Sequence, residues 1–334
     1  MLVFSLEESK RFKIRVFRGE MNEIDETIII KDIINNSVDL AIIRVPVESI
    51  HNLYRLENLN IPYIVTDTLL YYRVGLSNYQ INSIVNKDIE FIECTEKEIA
   101  ELRKLVSEIF QEYHNHYFSN PYLNRNDILE GYIEWAINYI RTIKKDRFVF
   151  LVKKQNNYIA FLTCSISFKK NEGEIVLNGV LSSESGKKIY SDMIRFIQSY
   201  MKNLGIKRII ISTQVHNFAV QKVWMREGFR MYSAYNTVHI NAFLSCTRFP
   251  KKTIKFNPSI DSKCVIDSQQ KNVDINNSWF LSHSFIYNEI EGYLDMNIQP
   301  KGFRIITSQT SIIKSIQSEN QYKLIQSYLL PELL

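Results

Sequence analysis

The sequence predicts an α/β fold of the α+β kind around a mixed central sheet, and three observations predict it. Apolar, β-branched runs alternate with helically spaced patterns through residues 1–245. Three consecutive apolar runs, "RFVFLVKK", "YIAFLTCSISF" and "EIVLNGV", are joined by the short turns Gln155-Asn156-Asn157 and Asn171-Glu172-Gly173, the pattern of an antiparallel meander. Finally, the stretch "ISTQVHNFAVQKVWMREGF" (211–229) runs from a strand through a polar joint into a short helix closed by Gly228-Phe229. With 45% hydrophobic and 23% charged residues among 334, the chain can bury a sizeable core.

Taken in order, a first block covers residues 1–86. Phe12, Ile14 and Val16 alternate with Lys13 and Arg15, which predicts a half-buried strand. "DLAIIRVP" (39–46) is a strand stopped by Pro46, "PYIVTDTLLYYRV" (62–74) is a longer one, and 21–36 and 48–58 between them read as helices. The second block covers 87–247. Thr95 followed by Glu98 is a capping-box pattern, and Ile99, Leu102, Leu105, Val106, Ile109 and Phe110 continue it at helical spacing. A helix over 126–140 starts at a cap of Asn126 or Asp127. After the meander, a helix from about Ser185 to Leu204 presents Ile189, Met193, Ile194, Ile197 and Met201 on one face, and Gly205 ends it. "KRIIIST" is the next strand, so the block's order is β-α-α-β-β-β-α-β-α-β. The third block, 248–334, is a C-terminal extension of unassigned role whose "WFLSHSFIYNEIEGYLDMNI" and "GFRIITSQTSIIKSI" read equally as strands or helices.

Composition narrows the function classes. The net charge of +5, from 41 basic and 36 acidic residues, is modest and scattered, which does not call for a nucleic-acid partner. Cys94, Cys164, Cys246 and Cys264 lie far apart without CxxC spacing, so reduced structural thiols are expected rather than zinc or disulfides. His114 and His116 stand two apart without a third ligand, and no metal is expected. Glu7, Glu8 and Lys10 interrupt any signal-peptide core, and no run of ~18 apolar residues occurs, so a cytoplasmic location without a membrane span is expected.

The joint at 211–229 frames the site. A strand that releases its neighbour opens a cleft, and a helix starting there points free N–H groups into it. Asn217 stands at such a helix start, with Val220 and Trp224 on one face; the same pattern also suits a capped amphipathic helix of no special role. His216, beside Asn217, is the natural group to titrate near pH 7. Tyr232 and Tyr235, just past Phe229, could supply protons or simply pack.

The order of elements resembles the GNAT acyltransferase superfamily, whose late motif runs Asn, a small residue three on, an aromatic seven on and Gly-Phe eleven on; here these are Asn217, Val220, Trp224, Gly228 and Phe229. The resemblance implies a GNAT-type sheet in which splayed parallel strands, "EIVLNGV" and "KRIIIST", grip the arm of acetyl-CoA, and a helix N-terminus binds its pyrophosphate. It implies cofactor contacts from Asn178, Gly179, Val180, Ser185, Gly186, Lys187, Lys188, Asn217, Val220 and Trp224. Two departures stand out. The family's Arg-Gly-x-Gly-x-Gly/Ala loop is here Ser185-Gly186-Lys187-Lys188-Ile189-Tyr190, and its usual acidic Tyr is Trp224, whose N–H has no useful acidity.

The first block and "HYFSNPYLNRNDILEGYIEWA" are similar to the dTDP-fucosamine acetyltransferase branch, which makes 1–86 a partial GNAT-like half and 87–247 the acetyl-CoA domain. That stretch would line the acceptor pocket through His116, Asn120, Glu134 and Trp135, with His216, Tyr232 and Tyr235 the candidates for proton transfer. The expected activity is acetyl transfer from acetyl-CoA to a small-molecule primary amine, a nucleotide-linked amino sugar for surface polysaccharide being the first choice. Acylation of a peptide, amino acid or carrier-bound amine, and a non-catalytic GNAT scaffold binding a partner, are the alternatives; a homo-dimer is also expected.

Overall fold

Helix caps and strand alternation, rather than propensity alone, decide where each element starts. The computed structural model describes residues 1–59, 61–141 and 146–248, and beyond them only four two- to four-residue strands. The chain falls into two compact units, one of residues 1–65 with those from 238 onward, the other of residues 66–237.

The first unit contains β1 (Val3–Phe4), α1 (Leu6–Phe12), β2 (Val16–Glu20), α2 (Glu26–Asn36) and β3 (Leu40–Pro46). β1 and β2 are antiparallel, and β2 and β3 run parallel from Val16 opposite Leu40 to Glu20 opposite Arg44. Two expectations change here. Residues 12–15 are not a strand, which begins only at Val16: Phe12 closes α1, whose Glu7 and Glu8 start it and Lys10 and Arg11 end it in line with the helix dipole, and Lys13 turns left-handed at φ 54°. Residues 47–59 form 3-10 turns broken at Ser49 instead of an α-helix. α2 starts only at Glu26, because Asp25 accepts a hydrogen bond from the Ile28 N–H at 3.0 Å. Phe17, Ile24, Ile29, Ile33, Leu56 and Phe243 form this unit's core, and α7 (Ala242–Arg248) closes it.

The second unit is built on β4 (Tyr63–Gly75, from Thr66 on), β5 (Ile89–Glu93), β6 (Arg147–Lys154), β7 (Asn157–Ser167), β8 (Glu172–Val180), β9 (Arg208–Gln214) and β10 (Arg230–Ile240, up to Thr237). Their order across the sheet is β10-β4-β9-β8-β7-β6-β5. All described neighbours in β4-β9 and β8-β7-β6-β5 are antiparallel, and only β8 and β9 run parallel. This is the mixed α/β sheet the sequence predicts. α3 (Ile99–Phe110) and α4 (Arg125–Arg141) cover one face, burying Leu102, Val106, Ile133 and Ile137 against Val149, Leu151 and Phe161. α5 (Ile189–Asn203) and α6 (Phe218–Arg226) cover the other, burying Met193, Ile197, Met201 and Trp224 against Ile175, Ile209 and Ile211.

The Thr95–Glu98 capping box forms, with the Thr95 N–H donating to the Glu98 carboxylate at 2.8 Å, although it heads a 3-10 turn from which α3 continues. α4 is capped two residues before the earlier of the two predicted positions: the Asn124 side-chain oxygen accepts from the Asn126 N–H at 2.9 Å. α5 starts at Ile189 rather than Ser185 because Lys188 adopts φ 62°. Cys94 and Cys164 are buried free thiols, and burial pushes Cys94 up to about 12. No helix among the described residues is long and apolar enough to cross a membrane. Past residue 248, β11 (Ile254–Lys255) pairs antiparallel with β12 (Asp274–Ile275), and β13 (Gly292–Asp295) with β14 (Arg304–Thr307). Most of 248–334, and with it most of the predicted extension, lies outside the described residues.

A buried charge network ties α5 to its surroundings. The Asp192 carboxylate, fully buried, accepts from the Val85 and Asn86 N–H groups at 2.9 Å each, and Arg195 bridges it at 3.1 Å to Glu227 at 2.7 Å. Burial opposes ionisation, but the Asn86 and Val85 N–H donors, the Asn86 side chain and Arg195 together hold the carboxyl below its ordinary value. A depressed folded-state pKa stabilises above the ordinary value of 3.8 and is lost as pH falls through and below it. Replacing Asp192 by Asn removes the charged acceptor shared by the Val85 and Asn86 N–H groups while Arg195 keeps Glu227, so urea unfolding at pH 7 is expected to lose about 1–3 kcal/mol. The variant's stability should also fall less steeply than wild type below pH 4.

Candidate active site

The site begins with one extra residue in β8. β7 and β8 pair in regular register until Thr163 faces Leu177 and Cys164 faces Ile175, which leaves Val176 as a bulge. A bulge exchanges the faces of the strand residues beyond it. Ile175 therefore packs with α5, whereas Leu177 packs with α3 and α4. Gly179 shares the α3 face, where an added Cβ would stand 2.4 Å from Ile109, so glycine lets the helix approach the strand. Asn178 consequently points to the α5 side.

The same bulge separates β8 from β9. Their parallel pairing covers only four positions, Glu172 opposite Arg208 through Ile175 opposite Ile211. Beyond it, the β9-facing backbone edge of Leu177 to Val180 has no strand partner, while β9 continues to Gln214 beside β4. A wedge-shaped cleft opens between the two strand ends.

Two side-chain strings line that cleft. The Trp224 indole N–H donates to the Tyr190 hydroxyl at 3.0 Å, and that hydroxyl donates to the Asn178 side-chain oxygen at 2.6 Å. Burial pushes the Tyr190 phenol well above its usual range, the Trp224 bond pulling it partly back. On the β9 side, the Tyr113 hydroxyl bonds the Gln214 side chain and lies beside Thr213 and Asn217; burial raises its pKa and those two contacts oppose the rise. Tyr72, which meets Trp224 edge-to-face at 5.4 Å, donates to Gln221 at 3.0 Å, and Gln221 in turn holds the Val215 carbonyl at 2.8 Å.

The loop before α5 closes the wedge. Gly186 and Lys188 are left-handed, at φ 77° and 62°, and no side chain caps the helix, so its first N–H groups point outward. Lys187 pairs with Glu184 at 2.9 Å, and that bond, with Lys154, holds the Glu184 carboxyl below its ordinary range. An anion with several oxygens fits this turn by its N–H groups and by Lys187 and Lys188.

The structure sorts the predicted residues. Asn178, Gly179 and Val180 lie on the released edge, Ser185 to Lys188 in the loop, and Asn217 and Val220 at the start of α6. Asn217 holds the N-cap position, but its side chain makes no cap bond and donates back to Thr213 at 3.1 Å. Trp224 is 1% exposed, with its N–H committed to Tyr190. His216 is exposed at the strand–helix joint, its imidazole without a hydrogen-bond partner among the described residues. Tyr232 and Tyr235 pack edge-to-face on Tyr71 at 6.3 and 5.6 Å. Since Tyr72 faces α6, strand alternation puts Tyr71 on the opposite face, and both of those tyrosines are in contact with its ring. His116 and Asn120 are buried in the loop between α3 and α4, whereas Glu134 and Trp135 lie exposed on α4.

Tyr113, Gln214 and Gln221 were not singled out from the sequence, and Tyr190 only as a departure from the loop pattern. The one available signal was Tyr190 itself, a large side chain where the loop pattern called for a small one.

Residues 101–229 match the family model described as Acetyltransferase (GNAT) family. No curated protein matches the chain. Among solved structures, the fold is similar to a GCN5-related N-acetyltransferase from Sphaerobacter thermophilus (12% identity, 60% of this chain and 58% of that one, TM-score 0.45). A functionally unknown conserved protein from Staphylococcus epidermidis aligns at 14% identity over 72% of this chain and 90% of that one, TM-score 0.49. The PaiA N-acetyltransferase from Thermoplasma acidophilum, in complex with coenzyme A, aligns at 14% identity over 45% and 97%, TM-score 0.35.

Removing the Tyr190 hydroxyl should leave the Trp224 N–H and Asn178 oxygen without partners. Tyr190→Phe is therefore expected to cost about 1–3 kcal/mol in urea unfolding, with altered Trp224 fluorescence; an unchanged midpoint would show that water replaces the hydroxyl freely.

Proposed function

We propose that this protein is an acetyl-CoA-dependent N-acetyltransferase acting on a small-molecule primary amine. The observation that supports it most is the four-residue pairing of β8 and β9, which leaves the backbone of Leu177 to Val180 open beside the N-terminus of α5. A strand edge of that kind can hydrogen-bond an extended amide-bearing arm, and the helix start can take the phosphates at its far end.

The chemistry rests on the same groups. Backbone N–H donors on the released edge polarise a thioester carbonyl bound there. The attacking amine must shed a proton, because alkyl ammonium groups titrate at roughly 8 to 10.4. His216, exposed and unpartnered at the cleft's joint, is the base we assign to that proton. As the carbon–sulfur bond breaks, the sulfur needs a proton, and the Tyr190 phenol, which burial keeps protonated and Asn178 holds at that strand, is the O–H we assign to supply it. Trp224 serves by orienting that hydroxyl.

The acceptor we favour is a nucleotide-linked amino sugar. The support is the resemblance of the first block and of residues 116–136 to acetyltransferases of that class, with Glu134 and the exposed ring of Trp135 available to sugar hydroxyls and faces. A second reading, a GNAT scaffold that does not catalyse, is favoured by one observation: the Asn178–Tyr190–Trp224 string fills part of the cleft.

Calorimetry with acetyl-CoA, joined to thiol release with a panel of primary amines, separates the two. Wild type should bind, Lys187→Ala/Lys188→Ala should bind at least tenfold more weakly, and His216→Ala should bind normally but turn over roughly 10²–10⁴-fold more slowly. No binding by wild type contradicts the proposal, and binding without turnover on any amine favours the scaffold.

A further inference from the structure

We propose that the second unit carries another binding site, for a phosphate-bearing small molecule, at the far end of β9 from the cleft. Arg208 and Gln214 stand six positions apart along the strand, about 20 Å at 3.3 Å per residue, so the two sites are distinct.

A hollow of about 310 Å³ lies where the end of β4 and the starts of β9 and β10 come together, lined by Arg73, Gly75, Tyr79, Arg208, Gly228 and Arg230. Two glycines make it. Gly75 sits opposite Arg208 in the β4–β9 ladder, and a Cβ added there would meet nothing within 4 Å, so the missing side chain leaves the floor open. Gly228, at φ 85°, lets the Tyr79 ring settle against the turn, where a Cβ would come within 2.4 Å of it. The Tyr79 hydroxyl, at this wall, has no hydrogen-bond partner among the described residues.

Charge selects the ligand. Three guanidinium groups face one nearby ion-pair partner, Glu172, which engages Arg208 at 2.5 Å. Arg73 lies 5.0 Å over the Tyr232 ring, and among the described residues neither it nor Arg230 has a carboxylate within ion-pair distance. Two further acids act on lining or neighbouring groups, Glu174 on Tyr232 and Glu227 on Tyr79, and Glu227 is already paired with Arg195 at 2.7 Å. Planar, permanently charged forks beside a free phenol suit phosphate oxygens better than a single carboxylate or a neutral ligand. The volume stands at the lower end of the roughly 300–1,000 Å³ of small-molecule sites, room for a phosphate group on a small frame.

The test uses the full chain carrying Lys187→Ala/Lys188→Ala, so that the loop before α5 is weakened, and titrates it by calorimetry at low salt with inorganic pyrophosphate and with ADP. That background should bind pyrophosphate. Adding Arg73→Ala/Arg230→Ala should weaken binding at least tenfold, and so should Gly75→Val, which keeps every charge, suits a strand and fills the floor. Tighter binding of ADP than of pyrophosphate would identify a nucleotide as the source; equal binding would identify the phosphate group alone. The proposal is overturned if the background binds neither probe, or if Gly75→Val and the arginine pair bind as well as it does.

Discussion

The extra residue at Val176 governs the second unit. Without it, β8 would keep one face toward α5 along its whole length and would continue to pair with β9. With it, Ile175 serves one core and Leu177 the other, and the parallel ladder stops after Ile175. A backbone edge left open in a sheet's interior is costly unless something binds it. The protein tolerates the opening because β7 still satisfies β8 on its other side, as far as Val180.

What keeps the opening in shape is the packing around α5. Asp192, Arg195 and Glu227 join the helix to the segment at 83–86 and to the turn after α6. The helix start cannot drift, and Tyr190, one residue into α5, is held where its hydroxyl spans Asn178 and Trp224. Rigid support of this kind lets a cleft present backbone donors without reorganising. The departures from the family's loop pattern acquire a physical meaning here. A phenol enters from α5, and an indole on α6 orients it.

Much of this was legible in the sequence because it rests on local chemistry. Thr95 with Glu98 and Gly205 after α5 each act within a few residues and stand where the pattern put them, whereas the turn predicted at Asn171-Glu172-Gly173 falls at Phe168 to Asn171, Glu172 and Gly173 already pairing in β8. Phe12, Ile14 and Val16 misled because an alternation of three positions suits a helix end as well as a strand; the αL turn at Lys13 decided it. The Tyr190 cluster was not legible, since its partners lie 12 and 34 residues away and only the bulge brings Asn178 to the α5 side. The roles proposed for His216 and the loop lysines come from recognisable strand–helix joints, whereas Tyr232 and Tyr235, close in sequence, are engaged with the ring of Tyr71.

The central claim is that the edge released at Val176 receives an acetyl-CoA arm. Hydrogen–deuterium exchange of the full chain, with and without saturating acetyl-CoA, reads that edge directly. An arm seated there predicts slowed exchange at the amides of Asn178 to Val180 and of Lys187 to Tyr190, with the β6 and β7 amides unchanged. Slowed exchange elsewhere with those two segments unaffected would contradict it.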